Sequence, residues 1–548
     1  MNLLARQITL TLTFAVAVAS CDSGSVAVDA TTELTSEATI GDEGTSEGSA
    51  LLPENTPGGD LSQNPTTTSE NTVELFGPDS FIRLASGEGG FDAIIDSGDR
   101  FGRDHDRAGD INGDGVVDLV FGARSDDDGA TDAGAVYILF MNADGTVASH
   151  QKISALEGGF TDTLVEGNFF GYGVAGIGDY NADNNPDIAV SAPTAANRAI
   201  YILHLQSDGT VKSMTKTDGI NAQGLSAMGD LNGDGRIDLV AAEPNAAGGG
   251  AIKILFFNGE STLNTDETVT ISSTEGSFGD GINEGDQFGG RESAPLGDID
   301  NDGTIEIAVG AFQSDGGTGA IWILSLDPLN FNVLSKTKIA PGLAGFNESI
   351  PTDVNPNGTS GGQFGHAMAV VGDLNGDGIT DLVTGANQLN EGYGYILYLN
   401  SDKTVKTFTR INGSEGGFNL ALEEEERFSR SISFVGDNKE NGSVTINMGG
   451  GAGVSGAVYQ LELEACDFEK QDGNKFWSDG LTFFTNWNHN QQLVTGPLSF
   501  EQCALIMFEN SAVNMTYNER DGRCIVKDET AILTDSQELS EAYTRVCR

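Results

Sequence analysis

Oxygen-bearing side chains alternate along Asp110-Ile-Asn112-Gly-Asp114-Gly115-Val116-Val-Asp118. A hard cation such as calcium takes six to eight oxygens at about 2.3–2.6 Å, and a chain curled on itself can offer Asp and Asn oxygens from every second residue. Gly115 permits the sharp bend, the carbonyl of Val116 fills the seventh place, and Asp118 closes the ring of ligands. The pattern recurs four times in full. Its residues are Asp179, Asn181, Asp183, Asn185 and Asp187; Asp230, Asn232, Asp234, Arg236 and Asp238; Asp298, Asp300, Asp302, Thr304 and Glu306; and Asp373, Asn375, Asp377, Ile379 and Asp381. The seventh residue of each loop offers its carbonyl. About five Ca2+ ions are therefore expected. A sixth copy begins at Asp437, but Lys439 stands at a ligand position and Thr445 replaces the last carboxylate, so no metal is expected there. The expected role is structural, because a catalytic metal needs an open coordination position and a neighbouring base.

The elements around the loops repeat as well, and an internal repeat decides the fold. A Phe-Gly pair precedes most loops (Phe101-Gly102, Phe170-Gly171, Phe288-Gly289, Phe364-Gly365), with Phe428-Ser429 as a variant and no counterpart in the third unit. Each loop leads into an apolar run, usually ending in Gly-Ala as at Gly122-Ala123, then a second apolar run such as Ala135–Leu139, a turn, and a run ending like Lys152-Ile153. The region from Phe81 to Glu464 resembles the FG-GAP repeats of the integrin α-subunit propeller. That resemblance implies an all-β propeller of four-stranded blades, with the loops on the face away from the ligand. Six copies predict six blades, where integrins have seven. The sixth unit stops after its third strand, and Phe81-Ile-Arg-Leu84 matches the fourth-strand pattern, so this N-terminal strand is expected to close the ring and leave no open edge.

The strand before each loop should be innermost. Seven residues before each loop stand Arg103, Tyr172, Gln223, Arg291, His366 and Arg430. One residue per blade at one level is expected to surround the axis. Arginine suits carboxylate, sulfate or phosphate, so the ring is a candidate ligand site. The opposing expectation is a water-filled channel whose arginines pair with Asp104, Asp106 and Glu292.

The chain has 548 residues and a net charge of −53, with 81 acidic residues against 28 basic ones, which excludes a nucleic-acid partner. Residues 1–20 read as a signal peptide. The sequence Val18-Ala19-Ser20-Cys21 resembles a bacterial lipobox, which implies acylation of Cys21, an anchor in the membrane and a place in the bacterial cell envelope on its extracytoplasmic side. Residues 21–78, rich in Ser, Thr, Glu and Gly, read as a disordered tether, and 79–465 as the propeller. Cys466, Cys503, Cys524 and Cys547 form an even set in an exported segment, expected to make two disulfides in one of three pairings. Residues 466–548 resemble a small α+β PAN/apple domain, which implies the pairs Cys466–Cys547 and Cys503–Cys524.

Together these features point to a non-enzymatic, calcium-binding surface lipoprotein for adhesion to a protein or carbohydrate ligand, anionic in kind. The alternatives are an enzyme acting on extracellular polysaccharide and a structural part of an envelope complex. His105, between Asp104 and Asp106, is the one local constellation that could serve as a base.

Overall fold

The computed structural model describes residues 81–194, 197–258, 262–350, 361–375, 377–388, 392–413, 422, 427–436, 443–450 and 456–464, together with the backbone of seven strands between 466 and 547. The signal peptide, Cys21, the tether, the sixth loop with Asp437 and Lys439, and Cys503 lie outside the described residues, as do the side chains of the other three C-terminal cysteines.

Six antiparallel four-stranded sheets make a six-bladed β-propeller with almost no helix. Blade one runs Phe101–Gly109, Asp118–Ala123, Ala135–Met141, Val147–Ile153. Blade two is Val174–Gly178, Asp187–Ala192, Ala199–Leu205, Val211–Asp218. The third is Leu225–Ala227, Leu239–Glu243, Ala251–Leu255, Val269–Ser272. The fourth is Phe288–Gly297, Ile305–Ala311, Ala320–Leu326, Val333–Ile339. The fifth is Phe364–Gly372, Asp381–Ala386, Tyr393–Leu399, Val405–Ile411. The sixth takes Ser431–Gly436, Ser443–Gly450 and Ala457–Glu464. Phe81–Leu84 lies antiparallel beside that last strand, with Phe81 opposite Leu461 and Leu84 opposite Val458.

The first strand of every blade touches the first strands of both neighbours, and these contacts run in a closed cycle from blade one through six and back. These strands are therefore the innermost. The second and third strands of blades one and two are buried throughout, and their fourth strands expose their middles. Strands covered on both faces read as unbroken apolar runs, and an outer strand does not. The hydrophobic clusters sit between blades. One joins Val120 and Phe140 of blade one to Phe170 and Tyr201 of blade two, and another joins Leu84, Val435 and Val458 to Phe101 and Phe121.

The Phe-Gly motif gains its meaning at these junctions. Phe101, Phe170, Phe288, Phe364 and Phe428 are fully buried. A glycine before the third strand of the preceding blade lies against each of their carbonyls. A Cβ on Gly134 would stand 2.1 Å from the Phe170 carbonyl oxygen, and one on Gly456 would stand 2.1 Å from that of Phe101. Only a residue without a side chain allows that approach. The third unit has no such phenylalanine, and its inner strand is the shortest. A hairpin of Phe257–Asn258 with Thr262–Leu263, not foreseen from sequence, interrupts the same blade.

Beyond the propeller, a five-stranded sheet has the order Cys466–Lys470, Glu541–Cys547, Asn514–Asn518, Arg523–Lys527, Gln491–Val494. Its register sets the backbone of Cys466 opposite that of Cys547.

Candidate functional site

The nine-residue loops join the first and second strands of their blades and are built alike. The leading aspartate bends the backbone. Asp110 accepts hydrogen bonds from the amides of Gly113 (2.8 Å), Asp114 (3.0 Å) and Gly115 (2.9 Å), and Asp230, Asp298 and Asp373 accept from the amides four and five residues further on. The closing carboxylate is buried completely at Asp118, Asp187, Asp238, Glu306 and Asp381. Asp118 accepts from Ile111 N (2.9 Å) and from Met141 N on the third strand (3.0 Å), and Asp381 accepts from Leu374 N and Leu399 N. That carboxylate therefore ties the loop to the sheet as well as standing at the end of the ligand series.

The donor set fits a hard divalent cation. Asn181 Oδ1, Asp238 Oδ1 and Asp300 Oδ1 are buried and accept no hydrogen bond. A buried oxygen left without a partner is costly, and each of these belongs to a loop ligand. In the fourth loop, oxygens of Asp298, Asp300 and Glu306 lie within 4.8 Å of one another. Lys403, from the outer turn of blade five, reaches this loop, its Nζ 2.5 Å from Asp300 Oδ2 and 3.6 Å from Glu306 Oε1. Asp300 stands where the other four loops have Asn112, Asn181, Asn232 and Asn375. The extra acid is thus matched by Lys403, whereas Lys212 on Asp183 and Lys406 on Asp377 reach the second and fifth loops without an added acid.

At the other end of the inner strands, the structure brings the arginines of the predicted ring together. Burial, then Arg124, Arg100, Arg427 and Arg291, push the Arg103 guanidinium down. Burial, then Arg103, Arg291, Arg124 and Arg427, lower Arg430. Tyr172 packs under Arg124, 4.0 Å from its ring centroid, with Arg291 at 4.9 Å. Burial raises this phenol, but the two guanidinium groups outweigh it and hold it at about 8. Arg291 donates to the Gln223 carbonyl (3.2 Å), and the Gln223 side chain accepts from Asn245 at 2.9 Å. His366 is buried against Phe312 (4.8 Å) and its Nδ1 bonds the Arg430 carbonyl (2.9 Å), so it supports the ring from behind. Arg103 Nε and Arg124 Nε are buried without partners.

The expected pairing of these arginines with Asp104, Asp106 and Glu292 is not made: among the described residues, no carboxylate forms an ion pair with Arg103, Arg124, Arg291 or Arg430. Asp106 instead accepts from the amides of Arg107 (2.8 Å) and Gly176 (3.0 Å). Glu292 accepts from Met368 N (3.3 Å) and Ile432 N (3.0 Å), spanning blades four, five and six. Burial raises Asp104 and Glu292 well above the ordinary carboxylate range; Asp106 adds to the effect on Asp104, and Asp104 and Asp106 add to that on Glu292. His105 is corrected from candidate base to core residue. It is 2% exposed, its Nδ1 bonds Ser433 Oγ at 2.8 Å, and burial lowers it to about 3.

Sequence reasoning missed Arg100, Arg124 and Arg427. Their signal lay in the repeat. Arg100 and Arg427 each precede the buried phenylalanine, at a position with positive φ in five blades (Arg100, Phe169, Gln287, Gln363, Arg427). Arg124 directly follows Gly122-Ala123.

Residues 107–139 and 364–397 match the FG-GAP repeat, and 179–241 the FG-GAP-like repeat. The chain is similar to integrin alpha-PS5 of Drosophila melanogaster, 33% identical over 152 residues, which covers 25% of this chain and 14% of that one. It is similar to integrin alpha-6 of Homo sapiens, 31% identical over 167 residues, covering 30% and 14%. It is also similar to phosphatidylinositol-glycan-specific phospholipase D of Bos taurus, 30% identical over 168 residues, covering 28% and 20%. The chain thus carries FG-GAP repeats and spans a fifth or less of the length of these relatives. Among the described residues no helix is long and apolar enough to cross a membrane.

Proposed function

We propose that this chain is a calcium-stabilised, non-enzymatic binding protein of the adhesion type. In this reading it is held to the extracytoplasmic side of a bacterial envelope through Cys21 and two disulfides brace its C-terminal domain. Its axial arginines receive an anionic group of a protein or carbohydrate ligand. The observation that carries the reading is the convergence of Arg103, Arg124, Arg291 and Arg430 without a described carboxylate partner, in a chain holding 81 acids. Like charges gathered in a partly desolvated place repel one another, and an incoming anion relieves that cost. The similarity to integrin α-subunits supports a ligand-binding propeller. Seven residues of strand, roughly 20 Å, separate this cluster from the loops, so the metals would act by holding the blades.

Replacing Arg103, Arg291 and Arg430 together with glutamine should abolish binding to an array of anionic glycans and acidic peptides; undiminished binding removes the assignment. Tyr172, held at about 8 between two guanidinium groups, favours as second reading an enzyme acting on anionic polysaccharide. A reducing-end assay on uronate polymers separates the two.

A further inference from the structure

We propose that the axial cavity on the loop side of the arginine layer is a separate binding site for a primary ammonium group carried on an aliphatic stem. The cavity has a volume of about 310 Å³ and is walled by inner strands of all six blades. Gly229 and Ile237, next to and within the third loop, are part of its lining, so it runs toward the face that carries the acidic loops. Its lining includes the acids Asp104, Asp106 and Glu292 and the apolar residues Leu225, Met228, Met368 and Ile432.

Glu292 is the residue that points to a ligand. It is 6% exposed. Oε2 is satisfied by two backbone amides from different blades, whereas Oε1 is buried and has no partner. Ser293 Oγ, 4% exposed and also lining the cavity, has none either. Both atoms can accept a hydrogen bond, and an ammonium offers three.

The surrounding charges leave room for one cation. Arg107, whose guanidinium lies 6.0 Å from the Phe434 ring centroid, stands beside Asp106 at the outer part of the cavity and attends to that carboxylate. Arg291 and Arg124 act on Asp104 from the arginine layer. The charges that act most strongly on Glu292 are the carboxylates of Asp104 and Asp106. A monovalent head of small radius with an unbranched stem matches both the missing charge and the apolar walls. A metal ion would leave those walls in contact with water.

The test is calorimetric titration of the full chain with pentylamine, pentanol and pentanoate, and with Nα-acetyl-lysine amide to separate a free amine from a lysyl side chain. Pentylamine or the lysine derivative should bind at least about tenfold more tightly than pentanol, with pentanoate weaker still. Glu292→Gln, which keeps an oxygen for the two amides, should lose about tenfold or more, the effect of removing one partner of a buried charged pair. Asp104→Asn, the second variant, should weaken amine binding as well and guards against a Glu292→Gln protein that does not fold. Equal binding of amine and alcohol, no heat from either amine, or full amine affinity in the folded variants each overturns the site. Anion binding at the arginines is measured separately, so either site can fail alone.

Discussion

Arg83 Nε lies 3.4 Å from the hydroxyl of Tyr459, across 376 positions of the chain. The two residues are opposite each other in the ladder between the first described strand and the last strand of the propeller. The same juxtaposition recurs inside single blades. Lys152 faces Tyr137, Lys216 faces Tyr201, and Lys338 faces Trp322, with the ammonium 5.4–5.8 Å from the ring centroid. Arg83 thus holds the fourth-strand position of a blade whose other three strands come from the far end. Leu84, fully buried between blades six and one, should cost about 2–5 kcal/mol on replacement by alanine. Arg83→Ala should cost about 1 kcal/mol or less, as a partly exposed pair does. Denaturant unfolding of both variants checks this; a negligible effect of Leu84→Ala would mean that the first strand does not close the ring.

Lys403 has a positive φ of 69° at the turn position where blades one and two have Gly145 and Gly209. A lysine tolerates that backbone less well than glycine. Its contact with Asp300 is the compensation. Lys403→Gly alone should leave the fourth loop with one excess negative charge and tighten its calcium affinity. Lys403→Gly with Asp300→Asn gives the fourth loop three acids and no lysine contact, as in the first loop, and should bring affinity back toward that loop's. Calcium titration followed by calorimetry reads both, and an identical affinity in the single variant and the native chain contradicts the pairing.

Removal of calcium should lower the melting temperature of the full chain. A ligand that binds only the folded state at a hundred times its Kd adds about 2.7 kcal/mol per site. Replacement of Asp298 and Asp302 by asparagine should remove one ion's share of that shift. A melting curve unmoved by chelator would set calcium aside as a stabiliser.

Tyr172 reports on the arginine layer. Its folded value near 8 lies below the ordinary value near 10. A depressed acid contributes stability above its unfolded pKa and loses it as pH falls through the folded value. This one group should therefore make the protein more stable as pH rises from about 8 to about 10. Absorbance at 295 nm should show one tyrosine ionising near 8, absent in Tyr172→Phe. An anion seated among the guanidinium groups should move that step upward; a step unaffected by any bound anion places the ligand elsewhere.

Much of the fold was legible because its determinants are local. Alternating oxygens at Asp110–Asp118 and the Phe-Gly pair at Phe101 fix a turn and a junction, and repetition supplies the rest. The level of the axial residues followed from counting back from each loop. What counting could not supply was direction. Asp104 and Arg103 are neighbours in sequence, yet the ladder is irregular between Phe101 and His105, as it is between Phe288 and Ser293, so simple strand alternation does not say where these side chains turn. His366 fell at the right level but turned into the core against Phe312. Lys403 and Asp300 meet only because blades four and five stand side by side, and no pattern within either repeat announces that contact.

The most direct measurement is a crystal of the full chain soaked in selenate, with anomalous scattering recorded at the selenium edge. Selenate has the charge and oxygens of a generic oxyanion, and its position can be read without prior assumption. The expected result is a peak bounded by the guanidinium groups of Arg103, Arg291 and Arg430 that disappears in the triple glutamine variant. Ordered water at that place, with selenate found only on the outer surface, contradicts the anion-binding role of the axial arginines.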